Sequence, residues 1–250
     1  MAAGRPLHCA FGSIPRSPLC SALGELMSYL HAISLAAFLP CNNFAIAGRI
    51  WSPNYLASID PGLGALHKPV EDFSIEDLRQ NGYQGGAVTP RSATTLIKAA
   101  MLQRGLHMVD GHGNEILVSA QEKQRILELS EAELSLEQLR RSDYPDKVSR
   151  LSCLWLADAN EEGAKHIKSM LGDQVYMVSV KISNQLVLSK ANTHWFDEFI
   201  RTGDKDYAHR YWAGDSAPHG GSWKYLLDGE IVISDLEQLE YIRSYGSKLP

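Results

Sequence analysis

The run Val175–Ile182 (VYMVSVKI) alternates apolar and polar positions with a period of two and contains no proline. This spacing predicts a β-strand with one buried face, placed centrally in a sheet. Such a strand needs partners and a covering layer. The segments around it read as both strands and helices, so the chain is expected to be an α+β protein.

Leu151–Leu156 reads as an apolar strand, and Asp158 with Glu161 reads as the cap of a helix whose face is Ala164, Ile167, Met170 and Leu171, closed by Gly172. Leu186–Leu188 is expected to pair with the Val175–Ile182 strand. Residues 193–211 read as short helices, and Trp223–Leu227 and Glu230–Ile233 as two strands turning at Asp228-Gly229. Asp235 opens a last helix through Ile242.

The earlier part of the chain is less regular. Residues 1–21 carry Gly4, Pro6, Gly12, Pro15 and Pro18, which predicts a poorly ordered arm. Residues 22–250 are then expected to form one α+β domain. Residues 22–39 fit helix or strand equally well, and residues 40–90, with Pro40, Pro53, Pro61, Pro69 and Pro90, read as loop-rich. One short helix follows Ser74 in that stretch and ends at Asn81-Gly82. Ala93, Leu96, Ile97, Ala100 and Met101 give 91–104 a helical face ended by Gly105. His107-Met108-Val109 and Glu115–Val118 flank a Gly-rich turn and predict a hairpin. Ser119 and Glu122 then open a charged helical insertion over about 119–142, with a break expected at Ser130-x-x-Glu133 and an end at Pro145.

Composition narrows the function classes. The 250 residues are 44% hydrophobic and 21% charged, near globular averages. A net charge of -5 argues against a protein dominated by contacts to nucleic-acid backbone. Cys9, Cys20, Cys41 and Cys153 show no C-x-x-C spacing, and His107, Asp110 and His112 lack a ligand spacing, so no metal is expected. Free thiols suit a reducing compartment, the cytoplasm. No run of eighteen apolar residues predicts a membrane span. Met27–Pro40 with Ala45-Ile46-Ala47 has the look of a signal segment, but Glu25 and His31 count against cleavage. The glycine and serine fingerprints of P-loop, Rossmann and serine-hydrolase sites are missing from the sequence.

Candidate chemistry gathers in the last hundred residues. Trp155, Trp195, Trp212 and Trp223, with Tyr207, Tyr211 and Tyr225, could wall a pocket for a flat ligand or could fill the core. Arg210, Tyr211 and Trp212 place a cation beside two rings, just before the run Pro218-His219-Gly220-Gly221. Arg210 suits a phosphate, and Trp212 an adenine or nicotinamide ring.

From residue 149 onward the order of elements resembles the ADP-ribosyltransferase superfamily. Ser149-Arg150-Leu151-Ser152-Cys153-Leu154-Trp155 and its following helix look like that family's middle motif, and Val175–Val180 like the next strand. For the first motif, Tyr29-Leu30-His31-Ala32-Ile33-Ser34 and Gly48-Arg49-Ile50-Trp51 are rivals, and His31 is preferred over Arg49. Trp223–Ile231 looks like the final strand pair, but Lys224 stands where the family has Glu. Glu230 is the carboxylate left to stabilise a ribosyl cation.

The resemblance implies two small mixed or antiparallel sheets around a cleft, with flanking helices. It implies NAD as substrate, transfer of ADP-ribose to a protein or nucleic-acid acceptor, and release of nicotinamide. His31 and Glu230 would be catalytic, and Arg150, Ser152, Arg210, Tyr211 and Trp212 would bind NAD. It also suggests a bacterial effector or toxin, in which case the chain would be exported. The alternative is a catalytically inactive interaction protein that keeps the aromatic cleft, which Lys224 favours.

Overall fold

The computed structural model describes residues 27–35, 38–85, 91–106, 108–109, 115–173, 175–218 and 220–246. The arm at 1–21 and the turn at 110–114 lie outside the described residues, as do His107, His112 and His219.

The strands are β1 (Tyr29–Ile33), β2 (Arg49–Trp51), β3 (Met108–Val109), β4 (Glu115–Ile116), β5 (Leu154–Asp158), β6 (Tyr176–Asn192) and β7 (Trp223–Ile233). The helices are α1 (Phe38–Ala47), α2 (Pro53–Ile59), α3 (Pro61–Gly64), α4 (Ile75–Asn81), α5 (Arg91–Gln103), α6 (Ala120–Asp143), α7 (Glu161–Leu171), α8 (Thr193–Thr202), α9 (Lys205–Ala213) and α10 (Leu236–Gly246). The α+β expectation holds. Five strands form a single antiparallel sheet in the order β2-β7-β5-β1-β6, and a further β6–β7 pairing closes it into a small barrel with β2 attached to β7. The two-stranded ribbon β3–β4 is separate, as the hairpin signal predicted.

Alternation along the strands decides what fills the barrel. Tyr29, Ile33, Ile50, Leu154, Leu156, Val178, Val180, Tyr225, Leu227 and Ile231 point inward, with Phe44 of α1 and Ile242 of α10 packed against them. The opposite face of β7 is covered by α6, α8 and α9, where Leu226 meets Leu136, Phe196, Phe199, Tyr211 and Trp212. A third cluster joins α4, α5 and α6 around Leu78, Leu96 and Leu134.

Several expectations are corrected. β6 is one strand of 17 residues, so Leu186–Leu188 continues the strand rather than pairing with it. Its register shifts twice, between Ile182 and Asn184 and between Gln185 and Val187, which lets one strand serve β1 early and β7 late. β7 is likewise one strand of 11 residues, and Asp228-Gly229 is not a turn. Glycine is required there for a different reason: a Cβ on Gly229 would lie 2.2 Å from the Asn184 carbonyl oxygen. The glycine admits the bulged β6 backbone. The segment 40–90 is largely helical, because Pro53 and Pro61 sit at first-turn positions that proline favours, behind the caps Ser52 and Asp60. Asn160, not Asp158, caps α7.

Helix α6 runs unbroken for 24 residues and is the central strut rather than an insertion. Its thin apolar stripe is supplemented by buried charges. Glu137 accepts from Arg140 Nε at 3.0 Å, from Arg141 Nε at 2.9 Å and from the Ser149 hydroxyl at 2.8 Å. Arg140 also reaches Glu71, and Arg141 donates to the carbonyls of Val70 and Phe73 at 2.6 Å, tying the 3-10 turn Val70–Asp72 to the helix. These carbonyls end in loops, and the guanidinium groups satisfy them.

Candidate functional site

Strand β7 places Lys224, Leu226, Asp228 and Glu230 on its outer face, because alternate residues share a side. All four are buried, and three of them are charged. Each end of this row meets different neighbours.

At the Glu230 end, β2 runs antiparallel to β7 and sets Trp51 opposite Glu230 and Arg49 opposite Val232. Arg49 Nη1 donates to Glu230 Oε1 at 2.7 Å, and Asn184 Nδ2 donates to Oε2 at 2.5 Å. The carboxylate is 3% exposed while the arginine side chain is 48% exposed, and Arg49 Nε donates to the Ala47 carbonyl at 3.4 Å, so the donors used on neither partner are open to solvent. Two residues back, Asp228 accepts from the Ser52 hydroxyl at 2.5 Å and from Asn54 Nδ2 at 2.9 Å. Asn54 Oδ1 accepts from His67 Nε2 at 2.9 Å, which fixes the proton of that ring on Nε2. Ser52 Oγ in turn receives the backbone N–H groups of Tyr55 and Gly229. Both carboxylates are therefore held through each of their two oxygens.

At the other end, Lys224 is 3% exposed. It makes no hydrogen bond or ion pair among the described residues and stands 4.7 Å from the Trp155 ring centre and 5.8 Å from that of Phe196. Burial, with Arg150 nearby, depresses its amine to about 7, against the pull of Glu133, Asp197 and Cys153. Unfolded, the same amine titrates near 10.5. Between those values the unfolded chain holds a proton that the folded chain has released, so stability rises with pH across the window. Below about 7 the amine is charged in both states and the burial penalty is fully present. Lys224→Met should therefore unfold at higher denaturant than the wild type near about pH 6, with the gap shrinking near about pH 9. An equal gap at both pH values would show that the amine titrates normally.

The residues expected to bind NAD fall elsewhere. Arg150 and Tyr211 do come together, but in the core. Arg150 is 3% exposed, with Nε and Nη2 donating to Glu133 at 2.7 and 2.6 Å and Nη1 donating to the Tyr211 hydroxyl. Its guanidinium also lies 4.1 Å from the Phe196 ring centre and 4.4 Å from that of Trp155. Burial pushes the Tyr211 hydroxyl up to about 12. Trp212 is 2% exposed and donates from Nε1 to the Leu136 carbonyl at 3.0 Å, which makes it a core anchor and not a stacking platform. Ser152 is fully buried. Arg210 alone is exposed, with its guanidinium 5.0 Å from the Trp195 ring centre. The aromatic cleft expected from the sequence is thus a packed layer between the barrel and α6, because α8 and α9 fold down onto Leu226.

His31 does not meet Glu230. It shares a side of β1 with the inward-facing Tyr29 and Ile33, and its Nδ1 is 2.8 Å from the Trp155 carbonyl oxygen. The barrel wall separates it from the outer face of β7. Arg49, the rival for the first motif, is the residue beside Glu230. A groove of about 650 Å³ runs between α6 and α8, past Leu127, Leu139 and Phe199. None of the β7 carboxylates lines it, and the paired charges on β7 are the stronger chemical indication. Among the described residues no cluster of His, Cys, Asp and Glu could hold a metal ion, and no helix is long and apolar enough to cross a membrane.

Of the residues that sequence reasoning missed, Ser52, Asn54, His67 and Asn184 leave no local motif, and Glu133 stands in one that reads as a helix cap. Asp228 does leave one, through the two-residue spacing that puts it on one side of a strand with Glu230, which the sequence had marked. A model of the family described as protein of unknown function (DUF2441) matches residues 88–241. That span holds Glu133, Arg150, Lys224, Asp228 and Glu230, while Arg49, Ser52, Asn54 and His67 precede it. No curated protein matches the chain.

Proposed function

The chain belongs to the DUF2441 family of proteins of unknown function, and we propose that it transfers ADP-ribose from NAD to a protein or nucleic-acid acceptor, with release of nicotinamide. The observation that carries this reading is the buried Glu230 carboxylate, held by Arg49 at 2.7 Å and by Asn184 at 2.5 Å. In the reaction the bond between nicotinamide and the ribose carbon breaks, and nicotinamide leaves with its electron pair. The acceptor nucleophile forms the new bond and loses its proton. Positive charge develops on the ribose between these events, and a fixed anion such as Glu230 stabilises it without reorganising. Arg49 would direct its free donors to the pyrophosphate. Asp228, set by Ser52 and Asn54, would add a second negative charge along the same strand face. This assignment gives Arg49 the role that the resemblance implied for His31, and leaves the ADP-ribosyltransferase likeness of the fold as part of the proposal.

A second reading, an interaction protein without catalysis, is favoured by the burial of Arg150, Ser152, Tyr211 and Trp212, which offers NAD no open aromatic cleft. Nicotinamide release from NAD by the purified full chain separates the two. Glu230→Gln keeps the shape of the side chain and is expected to lower release by about a hundredfold or more, the scale of losing one preorganised electrostatic group. No release by the wild type at millimolar NAD, with several acceptor proteins and nucleic acids present, would leave the interaction reading.

A further inference from the structure

Among the described residues three buried side-chain polar atoms lack hydrogen-bond partners, and two of them belong to the surroundings of Lys224: Trp155 Nε1 and His166 Nε2. Lys224 itself, 3% exposed, donates to nothing among the described residues, and its ammonium stands 4.7 Å from the centre of the Trp155 ring. His166 projects from α7, which packs on β5, the strand that carries Trp155, and it lies within electrostatic reach of Lys224. Gly163 lets the chain turn tightly from β5 into α7: a Cβ there would sit 2.1 Å from the Asp158 carbonyl oxygen. Burial and the Lys224 charge lower the imidazole to about 4, so the ring is neutral and one nitrogen keeps a proton to donate.

An indole N–H can only donate, an ammonium can only donate, and a neutral imidazole can do so. Buried donors left unmade are costly, and a native fold retains few of them without a reason. A species that brings acceptors and negative charge satisfies the indole and the amine, and the imidazole as well in the tautomer with its proton on Nε2. We propose that Lys224, Trp155 and His166 form a binding site for a small oxyanion, a carboxylate or phosphate group. The site lies at the Trp223 end of β7, where Ala157 of β5 and Ala191 of β6 are the strand partners of Lys224. No carboxylate among the described residues ion-pairs with Lys224, although Asp197 and Glu133 both act on it at longer range. Arg150, 4.4 Å from the same indole, adds positive field. The proposal does not depend on the transferase reading, since none of these residues touches the Arg49–Glu230 pair.

The indole N–H resonances of the tryptophans give a direct test, because the chain has only five. Trp155→Phe assigns the signal. Inorganic phosphate and acetate are titrated into the full chain at constant ionic strength, with chloride as the control. The expected result is a saturating shift of the Trp155 signal with phosphate, acetate or both, and none with chloride; which ion acts identifies the group. Lys224→Met should weaken the response about tenfold or more. A signal unmoved by either anion to tens of millimolar overturns the site and leaves buried water as the partner of these donors. A shift that survives intact in Lys224→Met also overturns it. Should that variant fail to fold, the wild-type contrast between oxyanions and chloride decides alone.

Discussion

Arg150→Met is expected to destabilise the protein by about 3–5 kcal/mol, the cost of breaking a buried ion pair by removing one partner. Arg150 is where four elements meet: Glu133 of α6, Tyr211 of α9, Phe196 of α8 and Trp155 of β5 all contact its guanidinium. Burial works against its charge, but Glu133 and Tyr211 more than offset this and hold its pKa above the usual arginine value. Methionine fills similar space, so the loss would come mainly from Glu133, left 9% exposed on its side chain with no counter-ion. The companion Glu133→Gln in the same chain should recover part of the loss, because no buried charge then remains. Urea unfolding of the two single variants and the double variant measures the coupling. A loss for Arg150→Met below about 1 kcal/mol would mean an exposed pair, and would return Arg150 to the role of a ligand residue.

The sequence made the elements with clean periods legible and obscured those whose logic is tertiary. The alternation of Val175–Ile182 located β6 and its fully buried Val178, since a strand that lines a closed barrel must bury every second residue. The end of β6 was not legible. Its bulges at Ile182–Asn184 and Gln185–Val187 interrupt the period, and a bulge depends on the partner strand. Asp228-Gly229 carried the strongest local turn signal in the tail, yet Gly229 serves a close approach to β6 and hydrogen bonds to Ser52. In α6, Ser130-x-x-Glu133 had the form of a cap, but both residues face inward and Glu133 pairs with Arg150 from beyond the helix.

The same division holds for the candidate site. Glu230 was marked by its chemistry, and Lys224 by its mismatch with the expected carboxylate. Arg49 was visible as a rival to His31, but the choice between them depends on strand pairing: β2 lies against β7, whereas β1 lies against β5 and β6. Ser52, Asn54 and His67 act on Asp228 from more than a hundred and fifty residues away in sequence, and no local spacing encodes such a contact. The aromatic run at Tyr211-Trp212 was conspicuous for composition alone, which cannot separate a ligand platform from a core anchor.

Trp212→Ala draws that distinction and is expected to cost about 3–5 kcal/mol of stability, the range for removing a large buried aromatic side chain. Three features fix the magnitude at the upper end of what one residue contributes. The ring is 2% exposed, so nearly all of its apolar surface is removed from water. It packs edge-on against Tyr211 with ring centres 5.1 Å apart. Its Nε1 donates to the Leu136 carbonyl at 3.0 Å, binding α9 to the middle of α6. Truncation would open a cavity under α9 and loosen Tyr211, whose hydroxyl holds Arg150. Trp212→Phe keeps one aromatic ring but loses the indole donor and some ring volume, so it should cost about 1–3 kcal/mol, less than the alanine variant. The Phe variant remains folded on this account and is the one in which NAD affinity is measured. An unchanged affinity is expected, because Trp212 presents no surface to a ligand. A Trp212→Ala variant that melts at the wild-type temperature but loses NAD binding about tenfold would place the indole in the site after all.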